Sequence, residues 1–256
     1  MKSFCEVWLD GRPFTGIDPA LQALDVAQQM TMVFEREQKA SRLGVLPDET
    51  ADLDTEIRFL FKAHEADQAR RGELLREVIA WADGHVLQTS TRPGLRMRVL
   101  FAGMEPFSAL RWTEELCLRF LPRGLPCWED AHPKTVHLEG DHAEAEMIVP
   151  GSVVCPYVTA YVTAEEPLTR IRMTAGETAM TLEDFALPAG HALELDYAED
   201  GHVLRIRDVA ENRSLLPYLT PESFGALRLP KAGRGLIGLS ADTPVSADFF
   251  ARGLTL

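Results

Sequence analysis

A mainly β chain in two parts, with an α+β first domain and an antiparallel β-sandwich as the second, follows from three observations. One stretch alone, RRGELLREVIAWADG at 70–84, combines a helical apolar stripe with a stop signal. Beyond about residue 133 the apolar residues recur with a period of two, in short segments separated by glycine, proline or acidic turns. Between these regions PRGLPCWEDAHP interrupts every pattern with three prolines and a glycine, which places a domain boundary near residue 133.

The elements can be taken in order. Phe4 to Leu9 alternates and then meets Asp10-Gly11, so it reads as a strand entering a hairpin. Residues 18–34, DPALQALDVAQQMTMVF, fit a helix capped by Asp18 with Pro19 at its first position, and also fit a long edge segment. From Asp54 to Ala63 the period is two: Ile57, Phe59 and Phe61 share one face, and Glu56, Arg58 and Lys62 the other.

The helix is expected over about 68–83, with Asp67 able to cap it. Leu74, Leu75, Val78, Ile79 and Ala82 form its apolar stripe, opposite Arg71, Glu73, Arg76 and Glu77. Gly84 stands where a left-handed C-terminal cap is wanted. Such a stripe must lie on a sheet. The strands that could supply it are Val86–Thr89, Leu95–Glu105 after the turn RPG, and the alternating Leu116, Leu118 and Phe120.

In the second half the alternating segments fall around 135–139, 144–149, 153–163, 169–174, 178–185, 192–197, 203–208, 225–229, 235–240 and 245–250. That spacing predicts an antiparallel sandwich and excludes a βαβ arrangement.

Composition narrows the function. The chain has 256 residues, 46% of them hydrophobic, enough for a packed core. Its net charge is −13, and both halves are acidic: 16 basic against 21 acidic side chains in 1–133, and 10 against 18 thereafter. A protein that grips nucleic acid by its phosphates is therefore not expected. The four cysteines, Cys5, Cys117, Cys127 and Cys155, make no CxxC pair and fit reduced thiols. The start MKSFCEVWLDG has no apolar signal core, and no apolar run approaches transmembrane length.

No catalytic, cofactor-binding or metal-ligating residues are predicted. CWEDAHPKTVHLEGDH is the one stretch that invites a metal, since Cys127, His132, His137 and His142 fall five apart. In an extended chain that odd spacing sends successive side chains to opposite faces, so a histidine-rich linker is the better reading. Adjacent carboxylates at Glu114-Glu115, Glu165-Glu166 and Glu183-Asp184 diverge in the same way. Phosphate-loop, nucleophile-elbow and zinc-protease motifs are absent. AGRGLIG at 232–238 lacks a following helix and reads as a turn between strands, while Trp8, Trp81, Trp112 and Trp128 read as core or interface.

The order EIRFLFKA, RRGELLREVIAWADG, HVLQTSTRPGLRMRVLFAG and LRWTEELCLRFLPRGLPCW resembles the first domain of the distal tail protein family of tailed bacteriophages. The segment from His191 to Gly253 is similar to the closing strands of that family's galectin-like second domain. Residues 18–50 depart from it, with FEREQKASRLGVLP in place of a glycine-rich loop. The resemblance favours the edge-segment reading of 18–34. It implies a ring-forming domain over 1–133, a galectin-like β-sandwich over 134–256, and a hexamer at the virion tail tip, made and assembled in the bacterial cytoplasm. Its partners would be the tail tube protein, a tail-associated hub protein and a receptor-binding protein, with no stable nucleic-acid binding, no membrane and no cofactor. Such a phage or prophage baseplate component is structural, not an enzyme. A carbohydrate-binding β-sandwich that attaches to host glycans is the alternative, and a glycan-active enzyme the third reading, since two carboxylates can meet in space without a sequence motif.

Overall fold

The computed structural model describes residues 5–19, 21–32, 53–63, 68–104, 116–123, 127–152, 155–197, 204–223, 225–230 and 233–255. These fall into two compact units, one of the described residues up to Trp128 and one of those from Glu129. Strands dominate both, and the sheets are antiparallel and curled.

In the first unit the sheet order is β2-β1-β5-β6-β7-β4-β3. The strands are β1 (Val7–Leu9), β2 (Arg12–Pro13), β3 (Leu21–Met32), β4 (Leu53–Ala63), β5 (Val86–Thr89), β6 (Leu95–Met104) and β7 (Leu116–Pro122), with helix α1 (Gln68–Ala82) between β4 and β5. The predicted hairpin is present. Leu9 pairs with Arg12 across Asp10 and Gly11, whose φ values of 49° and 73° match a two-residue turn of the left-handed type. Asp10 also reaches across the chain, its carboxylate accepting the backbone N–H groups of His85 and Val86.

Residues 21–32 form a strand, not a helix. β3 pairs with β4 from Leu21↔Ala63 to Met32↔Leu53, with a register shift between Ala23 and Asp25. The pairing holds a segment whose local pattern suits both states, so tertiary hydrogen bonding decides its form. The side chains of Ile57, Phe59 and Phe61 lie outside those described, as does the proposed cap Asp67.

Helix α1 packs by a face shifted from the predicted one. Leu74, Val78, Trp81 and Ala82 are buried, whereas Leu75 is only half-buried and Ile79 is 41% exposed. Trp81 accounts for the shift. Its ring meets Phe14 edge-on with centroids 5.0 Å apart, and its indole N–H donates to the Arg12 carbonyl at 2.9 Å. This draws the helix round so that Ile79 leaves the core. The unit's core joins that face to Val7, Leu9, Leu87, Met97, Val99, Leu118 and Phe120.

Gly84 follows the helix but does not take the left-handed conformation expected of it. Its requirement is space: a Cβ there would lie 2.9 Å from the Leu9 Cβ and 3.1 Å from an Asp10 carboxylate oxygen. The chain leaves the helix against the β1 hairpin, and only hydrogen fits.

The second unit is built on two long strands, β9 (Lys134–Ile148) and β16 (Arg234–Ala251). The short β8 (Trp128–Asp130) precedes them. The others are β10 (Val158–Ala164), β11 (Ile171–Ala175), β12 (Thr178–Leu182), β13 (Ala192–Tyr197), β14 (Leu204–Asp208), β15 (Arg213–Ser214) and the terminal β17 (Leu254–Thr255). One half of β16 pairs with β11 over 237–241 and the other with β10 over 245–251, while β9 runs beside both. Sheet order continues β10-β13-β14-β15 on one side and β11-β12 on the other.

The segments predicted at 135–139 and 144–149 are thus one strand, as are those at 235–240 and 245–250. The breaks read from the sequence are bends: Gly140 has φ 107°, and the β16 register shifts between Ser240 and Val245. Asp242 holds this corner, accepting from the Thr169 N–H and hydroxyl while its own N–H donates to the Arg170 carbonyl. Leu138, Val158, Val162, Met173, Leu195 and Phe249 are among the residues of the core enclosed by the curled sheet.

Candidate functional site

The stretch that invites a metal brings no ligand set together. Cys127 is buried, and burial pushes its thiol pKa up, away from the thiolate a metal needs. His132 and His142 are exposed. His137 is engaged otherwise, with Nδ1 2.8 Å from Asp248 and Nε2 2.9 Å from Glu139.

Both ring nitrogens can donate only in the imidazolium, so the geometry selects the charged form. The hydrogen bonds to Glu139 and then Asp248 raise the His137 pKa above its ordinary 6.5. Because folding raises this pKa, the stabilisation is present in full below 6.5 and is lost as pH rises through the folded-state value. An NMR titration is expected to place the His137 midpoint above 6.5, and Glu139→Gln with Asp248→Asn to bring it back. A midpoint unchanged by the double substitution would show that the carboxylates do not hold the proton.

A different trio does converge, and sequence spacing could not have shown it. Ligand atoms of His191, Asp208 and Glu211 lie within 4.8 Å of one another. Arg213 already supplies positive charge there, 3.7 Å from Asp208 and 3.4 Å from Glu211. Burial raises the Asp208 pKa, but hydrogen bonds from His191 and from the Glu211 and Ala210 N–H groups outweigh it and hold the carboxyl below the usual range. The cluster pins the turn after β14. A second polar group, around Tyr197, ties down 225–230: the buried hydroxyl accepts the Leu227 N–H at 2.9 Å, its ring lies 5.0 Å from that of Tyr157, and Arg228 covers Tyr157.

Strand edges are a further candidate surface. Among the described residues, β3 and β9 are long strands with a neighbour on one side only. They differ in composition. The 15-residue β9 carries Lys134, His137, Glu139, Asp141, His142, Glu144 and Glu146, a density of charge that discourages strand addition. The 12-residue β3, LQALDVAQQMTM, has one charged residue, Asp25. Its sheet ends in an edge without that protection.

No family model and no curated protein matches the chain. Solved structures do. The crystal structure of SPP1 Dit (gp 19.1), described as a paradigm of the hub adsorption apparatus in phages infecting Gram-positive bacteria, superposes with TM-score 0.64 at 10% identity, over 98% of this chain and 99% of that one. The fold is that of a phage tail hub protein. The phage P2 baseplate in its activated, calcium-containing conformation gives TM-score 0.51 at 9% identity, over 97% of both chains. The fold-level resemblance read from the order of elements is therefore borne out.

Proposed function

We propose that this protein is a structural component of a bacteriophage or prophage tail, a hub ring at the distal end that joins the tail tube to the baseplate or adhesion apparatus. The observation that carries the reading is the full-length likeness to a phage hub protein. The β3 edge, with Asp25 as its one charged residue, supports it, because a long edge that is open among the described residues invites a partner strand. In this reading six copies close through their first units, residues 1–133, and the second unit, residues 134–256, acts as a galectin-like docking platform. The tail tube protein, a tail-associated hub protein and a receptor-binding protein are its neighbours. Assembly takes place in the bacterial cytoplasm and the product resides at the virion tail tip. The role is non-enzymatic and needs no cofactor. No helix among the described residues is long and apolar enough to cross a membrane.

Solution mass tests the proposal. Sedimentation or light scattering over a range of concentrations is expected to show a ring-sized species. Gln28→Lys with Met30→Lys, which charge the β3 edge, should return the protein to a monomer. A wild type that stays monomeric at its solubility limit counts against the ring. An oligomer indifferent to the two lysines places the contact elsewhere.

A further inference from the structure

The outer face of the second unit carries a row of side chains in direct register across five strands. His137 on β9 lies opposite Asp248 on β16, Asp248 opposite Tyr161 on β10, Tyr161 opposite Glu194 on β13, and Glu194 opposite Arg207 on β14. The row is symmetrical in chemistry: base, carboxylate, tyrosine, carboxylate, base. His137 holds Asp248 at 2.8 Å, and the Arg207 Nε donates to Glu194 at 2.5 Å. At the centre stands Tyr161, 39% exposed, on a strand whose alternate residues Val158, Ala160, Val162 and Ala164 are all buried. Its hydroxyl has no hydrogen-bond partner among the described residues.

We infer that this row is a binding site for a neutral oligosaccharide, with Tyr161 as the stacking platform. The inference does not depend on the hub reading. The choice of ligand rests on charge and hydrogen-bond complementarity. Within the row each base is engaged, His137 by Asp248 and Glu139 and Arg207 by Glu194, so an anionic ligand would meet Asp248 and Glu194 without an unengaged cation in the row. Carboxylates fixed by a neighbouring base keep lone pairs for sugar hydroxyls, and an exposed phenol ring offers an apolar face to sugar C–H groups while its hydroxyl donates or accepts. Strands about 4.8 Å apart put the two carboxylates roughly 10 Å from each other across the ring, a span that favours a chain of sugars over a single one. On an open sheet the affinity should be weak, about millimolar.

The test is an NMR titration of the full-length protein with lactose, maltotriose and chitotriose, and with sialyllactose as the anionic arm. Saturable shifts centred on Tyr161 are expected with at least one neutral sugar. Tyr161→Ala should weaken that binding roughly tenfold or more, because it removes the largest apolar contact of the site. Tyr161→Phe should retain most of it, and both variants should melt as the wild type does. No saturable shift with any of the three neutral sugars, binding undiminished in Tyr161→Ala, or a preference for sialyllactose would each overturn the inference.

Discussion

Replacing Val78 by aspartate is expected to unfold the first unit, whereas Ile79→Asp leaves its melting almost unchanged. The positions are adjacent in sequence and 100° apart on the helix. Val78 is 1% exposed and packs with Leu74 and Trp81 into the core beneath the sheet; Ile79 faces out. A carboxylate forced into the first environment has no partner and costs several kcal/mol, against a total stability of about 5–15 kcal/mol. In the second environment it is solvated, and surface changes stay within about 0.5 kcal/mol. Thermal unfolding followed by tryptophan fluorescence distinguishes the two, since Trp81 lies in the affected core. A Val78→Asp protein with the parent's transition would mean that the helix is not packed on the sheet at all.

The second large effect is expected from Gly233→Ala, at the entrance to β16. Gly233 has φ 66°, and a Cβ there would lie 1.9 Å from the Val149 carbonyl oxygen and 2.9 Å from its carbon. The neighbour cannot retreat easily, because the Val149 N–H donates to the Gly233 carbonyl at 2.6 Å and fixes the two chains together. Gly190 provides the comparison: its φ is 80° but nothing lies within 4 Å of the added carbon. Gly190→Ala carries only the left-handed strain of about 1–2 kcal/mol. Gly233→Ala adds displacement of backbone, so a total loss above roughly 3 kcal/mol is expected. Denaturant unfolding of both variants measures the difference. Equal losses would show that the backbone yields and that conformation alone matters.

Local features were legible in the amino-acid sequence wherever their cause was itself local. Asp10-Gly11 makes its turn from its own φ preferences, and Val86–Thr89 and Leu95–Val99 alternate because one face of each strand is buried. Features whose cause lies elsewhere in the chain were not legible. Gly84 is a glycine because Leu9 and Asp10 crowd it, not because the helix needs a left-handed cap. The apolar stripe of the helix counted Ile79 and omitted Trp81, since the partner that turns the helix, Phe14, is more than sixty residues away. In β9 and β16, Gly140 and the Asp242–Pro244 corner look like turns, yet cross-strand pairing carries the strands through them. The proposed saccharide row was invisible for the same reason: His137, Tyr161, Glu194, Arg207 and Asp248 are neighbours only in the register of the sheet.

The shared strands of the second unit also decide how it should respond to load. β9 and β16 pair over almost their whole lengths, with backbone hydrogen bonds perpendicular to the strand axes. A pull along β9 therefore stresses that ladder in shear, and its bonds must fail together. A pull at the end of the short β14–β15 pair would instead open it one bond at a time. Both halves of the unit are joined through β16, so under an axial load the β9–β16 ladder would carry the tension as a single tie.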